Sequence, residues 1–184
     1  MIDSIVGTAI EELPEGCIVL LETGEGTEPE VGMEAMRQLL DQGYSGMVLS
    51  AGQPLDKLIE RCKNEDLDCE RLLILDCVDG DAKCPTPELT DNVVRIDDIT
   101  DLTFIVVSII SSIKKLPAKK FLLIDDIPAM LEKNHPLFFA RFMHIVLTNI
   151  RHFHMSGVLV SKKDGINKMV RAEIAQLCDR VIEI

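Results

Sequence analysis

The chain has 184 residues, of which 47% are hydrophobic and 27% charged, so it can form one globular domain and is not intrinsically disordered by composition. Its formal net charge of −12 argues against a non-specific binder of nucleic acids or anionic membranes, and 4% aromatic residues leave few stacking partners for bases. The sequence has no apolar run of the ~18 residues that cross a bilayer and no basic start typical of a secretory signal, so we expect a cytoplasmic protein without a membrane span.

Short apolar runs alternate with helical patterns along the whole chain. In chain order they predict helix 1–13, strand 16–21, helix 31–42, strand 46–50, helix 55–62, strand 71–78, loop 78–89, strand 93–96, helix 101–115, strand 120–126, helix 136–152, strand 155–161, helix 168–177 and strand 180–184. Residues 104–107 are β-branched enough for a strand. The length of segment 101–115, its aspartate start and its lysine end favour a buried helix instead.

Strands separated by helices of this length predict right-handed crossovers and a mostly parallel sheet. Continuous apolar strands are typical of sheets that are covered on both faces, so we expect an α/β protein with three layers. No repeat, low-complexity tract or linker divides the sequence. We therefore expect a single domain over residues 1–184, in which helix 1–13 is peripheral.

The distribution of charge and of cysteine also bears on function. Residues 1–36 contain nine acidic and no basic residues, whereas residues 141–184 contain seven basic and four acidic ones. This polarity favours head-to-tail self-association, although a solvated surface is the simpler interpretation. Four of the six cysteines (Cys62, Cys69, Cys77 and Cys84) are close in sequence but lack the C-x₂₋₄-C spacing of zinc sites, so we expect reduced cysteines without a metal.

In open parallel sheets, ligands bind at the carboxyl ends of strands, here residues 22–30, 50–54, 125–126 and 161–167. The order and contents of these segments resemble the RecA/KaiC-like branch of P-loop NTPases. Residues 14–22 resemble the first strand of that family, 46–58 its second strand and following helix, 120–126 its Walker B strand, and 175–184 its last helix and strand. The resemblance spans nearly the whole chain and implies a RecA-like core with helices on both faces of the sheet.

The sequence departs from the family at the phosphate loop, G-x-x-x-x-G-K-[ST]. An ungapped alignment places a proline and a glutamate, residues 29–30, at the Lys and Ser/Thr positions. A register that aligns residues 24–26 with the inner glycines places Thr27 and Glu28 there instead. Neither register supplies a lysine, because the first lysine of the chain is Lys57. The sequence therefore predicts a degenerate Walker A motif.

We expect a vestigial nucleotide site at Gly24, Gly26, Thr27 and Asp125, with no catalytic residue and no metal ligand. Glutamates at positions 25, 28 and 30 would each oppose a triphosphate by ~3–4 kcal/mol at ~4–6 Å, before screening. KaiC-like ATPases generally carry an acidic residue at the end of the second strand, where residues 52–53 are glycine and glutamine. Asp125 keeps the position that would hold magnesium indirectly; alternatively, residues 125–126 end a buried strand and cap the next element.

Four basic residues, Lys162, Lys163, Lys168 and Arg171, follow a strand from which this family can present basic side chains to a neighbouring subunit. They are candidate interaction residues that could contact the acidic segment of another copy, although a solvated turn explains them as well.

The resemblance leaves three hypotheses for function. The first is a non-catalytic homologue that needs no cofactor and acts as a protein-interaction or regulatory scaffold, with itself as a homo-oligomer or with an active ATPase homologue. The second is an ATP- or ADP-binding regulator or weak ATPase with an altered phosphate loop, in which glutamates recruit magnesium and Lys162 or Lys163 replaces the missing lysine. The third is an accessory protein of DNA recombination or repair, against which the charge of −12 argues.

Overall fold

A computed structural model describes residues 1–11, 13–77 and 91–184. Its sheet has the strand order β4-β3-β2-β5-β6-β1-β7, and every neighbouring pair is parallel. The strands are β1 (Ile18–Thr23), β2 (Ser45–Ser50), β3 (Leu72–Asp76), β4 (Val93–Arg95), β5 (Lys120–Ile124), β6 (Ser156–Lys162) and β7 (Arg180–Glu183). The helices are α1 (Ile2–Glu11), α2 (Glu28–Asp41), α3 (Leu55–Asn64), α4 (Leu102–Ile113), α5 (Ile127–Glu132), α6 (Pro136–His152) and α7 (Lys168–Leu177).

Two separate hydrophobic clusters cover the two faces of the sheet. One contains buried residues of α4, α5, α6 and α7, such as Ile105 and Phe139. The other contains buried residues of α1, α2 and α3, such as Val31 and Leu58. Strands β1 and β2 have neighbours on both sides and are buried along their whole length, which explains their continuous apolar sequence. The expected three-layer α/β architecture is confirmed.

Most predicted elements are present, with shifts at their ends. The first strand begins at Ile18 and not at residue 16, because the chain turns at Gly16, where φ is +79° and the Cys17 amide donates to the carbonyl of Pro14. Helix α2 begins three residues earlier than expected, at Glu28. The predicted loop at residues 78–89, which includes Cys84, lies outside the described residues.

Two helices, α5 and α4, differ in part from the predictions. The sequence did not predict α5, whose six residues are too few to show helical periodicity. Helix α4 is confirmed as a helix, and Asp101 caps it by accepting a hydrogen bond from the Phe104 amide. The expectation that α4 is buried is wrong on one side, because Phe104 and Val107 are 47% and 58% exposed. No helix of the described ranges is both long enough and apolar enough to span a bilayer.

Candidate functional site

A cleft of about 700 Å³ opens at the carboxyl ends of β1, β2, β5 and β6. Each of the four strand-end segments singled out in the sequence contributes to it: the β1–α2 turn through Gly26, the end of β2 through Gln53, the end of β5 through Asp125, and the end of β6 through Lys162. The charged residues of its lining are five acidic and one basic (Glu25, Glu28, Asp125, Asp126, Glu132 and Lys162). The cleft is therefore strongly anionic.

The β1–α2 turn, residues 24–27, is short and closed by its own hydrogen bonds. The Thr27 amide donates to the Gly24 carbonyl at 3.3 Å, and Gly26 has a φ of +80°, which a side chain would disfavour. The Thr27 hydroxyl donates to the same carbonyl at 2.8 Å and lies 2.7 Å from the Thr23 hydroxyl. Of the four predicted nucleotide-site residues, Gly26 and Asp125 line the cleft, whereas Gly24 and Thr27 form the turn behind it.

The amino-terminal end of α2 is acidic. Its first turn contains Glu28 and Glu30, and Pro29 between them has no N–H group to donate. A helix amino terminus attracts anions through its dipole and its free N–H groups, and here two glutamates of the first turn already place negative charge near it, one of which, Glu30, lies 3.5 Å from Arg61 Nη2. At the rim of the cleft, Lys162 Nζ lies 2.8 Å from Glu25 Oε1, and this hydrogen bond lowers the pKa of the Glu25 carboxyl.

Asp125 forms the floor of the cleft and connects β5 to the end of β2. Its carboxylate accepts hydrogen bonds from the Ser50 hydroxyl at 3.0 Å and from the amides of Ala51 and Gly52 at 2.7 and 3.1 Å. The residue is only 6% exposed, and burial raises the pKa of its carboxyl to about 6, although these hydrogen bonds oppose the shift. The two amide donors are backbone groups, which no residue type in the sequence indicates.

Asp126 serves the helix that follows. Its side chain accepts a hydrogen bond from the Ala129 amide at 2.9 Å and so caps α5, which confirms the capping interpretation for this residue. Burial raises the pKa of its carboxyl. A Cβ atom added to Gly52 would lie 2.7 Å from Asp126 Cβ, so the close approach of the two loops requires glycine at that position.

An ion pair between a buried carboxylate and a half-exposed arginine, which the sequence analysis did not predict, lies next to the cleft at the end of β1. Glu22 is 2% exposed, and its two carboxylate oxygens accept hydrogen bonds from Nε and Nη2 of Arg171 in α7, both at 2.6 Å. This two-point contact holds α7 against the end of β1. The partners are far apart in sequence, and the opposite charge of the two chain ends was the signal that could have suggested them.

The four predicted interaction residues are largely engaged inside the chain. Lys162 pairs with Glu25, Arg171 pairs with Glu22, and Lys163 Nζ lies 2.7 Å from a carboxylate oxygen of Glu183. Lys168 forms no ion pair with any of the described residues. The basic and acidic ends of the chain thus neutralise each other in part within one molecule.

Helices α4 and α6 expose a cluster of large apolar side chains, here called the α4–α6 surface: Phe104, Val107, Leu137, Phe138 and Ile145, which are 39–60% exposed. A groove of about 300 Å³ lies between the start of α4 and α6 and is lined by Phe138 and Ile145 together with Arg141.

Within residues 1–11, 13–77 and 91–184, no three or more histidine, cysteine, aspartate and glutamate side chains are grouped so that they could hold a metal ion.

No protein-family model and no curated protein matches the sequence. Among solved structures, a KaiC-like protein of the hyperthermophilic archaeon Pyrococcus horikoshii is similar, with a TM-score of 0.64 and 17% sequence identity over 93% of this chain and 72% of that one. At this identity the likeness concerns the fold alone. The chain therefore has the parallel α/β fold of the RecA/KaiC-like proteins.

Proposed function

We propose that the protein is a non-catalytic counterpart of the KaiC-like ATPases and acts as a scaffold for protein–protein contacts. The observation that supports this most is the β1–α2 connection. It is a four-residue turn whose amide and hydroxyl at Thr27 are both bonded to Gly24, and it leads at once into a helix that begins Glu-Pro-Glu. A phosphate loop needs free N–H groups, an ammonium and a hydroxyl for magnesium. This turn has no lysine, and its one hydroxyl, that of Thr27, is already bonded to Gly24 and Thr23.

The charges of the cleft act in the same direction. Five carboxylates and one ammonium line it, and the ammonium of Lys162 is bonded to Glu25. If counterions left only about 3 kcal/mol of repulsion uncompensated, the affinity for a triphosphate would fall by roughly a hundredfold. Asp125 would compensate only in part by holding hydrated magnesium, because its carboxylate, which has about four acceptor sites, already accepts three hydrogen bonds from the end of β2.

The α4–α6 surface supports a role in binding proteins. Five large apolar side chains that are about half exposed contribute roughly 400–500 Å² of apolar area, which is in the range of functional patches on monomers. The occupant would be a second copy of this chain or an active ATPase homologue.

Isothermal titration of the full chain with Mg-ATP tests the loss of nucleotide binding. We expect no saturable heat, and a Kd below ~10 μM or measurable ATP turnover would contradict the proposal. A variant with Glu25→Gln and Glu28→Gln is the matched control for charge. It also should not bind, because the turn remains closed and no lysine is added.

Sedimentation analysis tests the scaffold role. Phe138→Asp should abolish self-association or binding of a homologue, whereas Met169→Asp on α7 should not, although the two residues are similarly exposed, at 60% and 54%. If both substitutions weakened association equally, or if neither weakened it, the α4–α6 surface would not be the contact.

A nucleotide-binding regulator with an altered loop is the second candidate. The volume of the cleft, about 700 Å³, favours it because cavities of ~300–1,000 Å³ are typical of small-molecule sites. In this case Lys162 would leave Glu25 to contact a phosphate. A crystal soaked with Mg-ADP would show density beside Gly26 if this candidate is right.

A further inference from the structure

The two helices of the α4–α6 surface expose continuous stripes that are almost free of charge. The exposed residues of α4 lie on one face of the helix and are Thr103, Phe104, Val107 and Ser111. Those of α6, up to residue 150, also share one face and are Leu137, Phe138, Arg141, His144, Ile145 and Thr148. Arg141 is the single Asp, Glu, Lys or Arg residue in these two stripes, although such residues make up 27% of the whole chain.

Helix α3 shows the usual composition of a solvent-facing helix in this protein. It packs on the opposite face of the sheet, and four of its five exposed residues are charged: Asp56, Lys57, Glu60, Lys63 and Asn64. The core of a protein–protein interface differs from other surfaces by its depletion of charge and its enrichment in aromatic residues and arginine. The α4–α6 surface has that composition, with Phe104, Phe138 and Arg141, and α3 does not.

Charged residues of opposite sign flank the two ends of α4. Three exposed aspartates precede its first turn, Asp97, Asp98 and Asp101, whereas two exposed lysines, Lys114 and Lys115, follow its last turn. None of the five forms an ion pair with any of the described residues. The surface is therefore acidic at the start of α4, apolar along the helix and basic at its end, and this distribution is complementary to itself when a second copy is turned by 180°.

We propose that two copies of the chain associate face to face through the α4–α6 surface, about a two-fold axis that makes the two α4 helices antiparallel. This inference rests on the scaffold role proposed above and commits it to one partner, a second copy. The axis would pass near Val107, which lies midway along the chain between Asp101 and Lys114. The acidic start of each α4 would then lie opposite the basic end of the other, so that the favourable contact forms twice, whereas parallel helices would bring like charges together.

The exposed apolar area is large enough for a stable dimer. The five large apolar side chains of the surface contribute roughly 400–500 Å² in each copy. Because roughly 60% of the area of a protein interface is apolar, a contact that covers these side chains would bury about 700–800 Å² per copy. A stable interface of standard size buries about 800 Å² per partner.

Head-to-tail association through the acidic and basic ends of the chain has less support. Lys162, Lys163 and Arg171 already form ion pairs with carboxylates of their own chain. A contact that used them would first have to break these pairs. It would also leave the apolar side chains of α4 and α6 exposed to water.

Sedimentation velocity of the full chain at concentrations from about 1 to 200 μM tests the dimer. We expect a reversible equilibrium between monomer and dimer with a Kd in the micromolar range or below, and no larger species, because a two-fold contact is closed. A chain that stays monomeric throughout, or that forms an open series of larger species, would overturn the proposal.

Reciprocal charge reversal tests the antiparallel arrangement. The end variant carries Lys114→Glu and Lys115→Glu. The start variant carries Asp97→Lys, Asp101→Asn and Thr103→Lys, in which asparagine keeps an acceptor for the Phe104 amide and so still caps α4. Each variant alone should dimerise at least about tenfold more weakly than the wild type, since every change acts at both ends of the dimer. An equimolar mixture should form a heterodimer with an affinity near that of the wild type, because opposite charges again face each other, and native mass spectrometry separates it from the homodimers.

A variant with Lys57→Glu and Lys63→Glu on α3 is the matched control, since it changes the net charge as much as the end variant does and should leave the Kd unchanged. Equal weakening in this control, or a mixture that associates no more tightly than either variant alone, would overturn the proposal. Failure of this inference and failure of the proposed function are distinguishable. A dimer that binds Mg-ATP would contradict the proposed function alone, and a monomer that binds no nucleotide would contradict only the choice of a second copy as partner.

Discussion

The carboxyl of Asp125 is costly to ionise, so replacing it with the neutral isostere should stabilise the protein at neutral pH. In Asp125→Asn, the amide oxygen can accept from the Ala51 and Gly52 amides, as the carboxylate does. The new NH₂ group can donate to the Ser50 hydroxyl, which can in turn donate to the Gln53 carbonyl, 3.3 Å away. The substitution therefore removes a buried charge without leaving a hydrogen-bonding group unpaired.

The size of the effect follows from the pKa of Asp125, which burial raises from 3.8 to about 6. Because the folded-state pKa lies above the unfolded-state one, this carboxyl favours folding most at low pH, and that contribution is lost as the pH rises through about 6. The shift corresponds to about 3 kcal/mol in full, of which roughly half is lost between pH 5 and pH 8. The free energy of unfolding of the asparagine variant should therefore be about 1–3 kcal/mol higher than that of the wild type at pH 8, and the difference should be smaller at pH 5.

Urea unfolding of both proteins at several pH values between 5 and 8 measures this difference directly. Other carboxyls titrate in both proteins, so their contributions cancel in the comparison. Asp126→Asn is the neighbouring control: it keeps an acceptor for the Ala129 amide and should show a smaller gain, because Asp126 is less buried. If Asp125→Asn were less stable than the wild type at pH 8, the three donors would favour the charge more than burial disfavours it, and the reasoning would be refuted.

Two further substitutions test contacts at opposite ends of the sheet, both by urea unfolding. Arg171→Met leaves the carboxylate of Glu22 without its partner and should cost about 1–2 kcal/mol, less than for a fully buried pair because Arg171 is 40% exposed, whereas Lys168→Met on the same helix should change stability by less than about 0.5 kcal/mol. Equal effects would mean that the ion pair contributes nothing. Gly46→Ala places a methyl group 2.1 Å from Phe121 Cζ and should lower the free energy of unfolding by about 1–3 kcal/mol. An unchanged midpoint of urea unfolding would show that the ring can move away.

The fold could be predicted from the sequence because its strands are buried on both faces. A strand such as β2 or β5 is a continuous apolar run between polar turns, and the alternation of such runs with helical segments leaves few topologies other than a parallel sheet. The ends of elements were less predictable, since they depend on local hydrogen bonds. The start of β1 is set by the turn at Gly16, and α5 exists because Asp126 caps a segment of only six residues.

The four segments of the candidate site could be located, but their chemistry could not be read completely. Parallel strands place their carboxyl ends together, which is why Gly26 and Asp125 line one cleft as expected. The donors that occupy Asp125 are mainly backbone amides, and the partner of Glu22 lies 149 residues away in α7. Neither relation leaves a pattern in a single sequence. The exposure of Phe104 was missed because hydropathy alone does not distinguish a buried helix face from an exposed one.

The carboxylates at this edge of the sheet form contacts within the protein that do not involve a ligand. Glu22 holds α7, Asp125 joins β5 to β2, and Asp126 begins α5. Direct binding of magnesium by Asp125 would compete with the three hydrogen bonds that its carboxylate accepts, and losing them would leave buried donors without a partner. We therefore expect that a lysine added at position 28 would not by itself allow the protein to bind a nucleotide. That result would agree with a fold that is retained for its surface and not for its cleft.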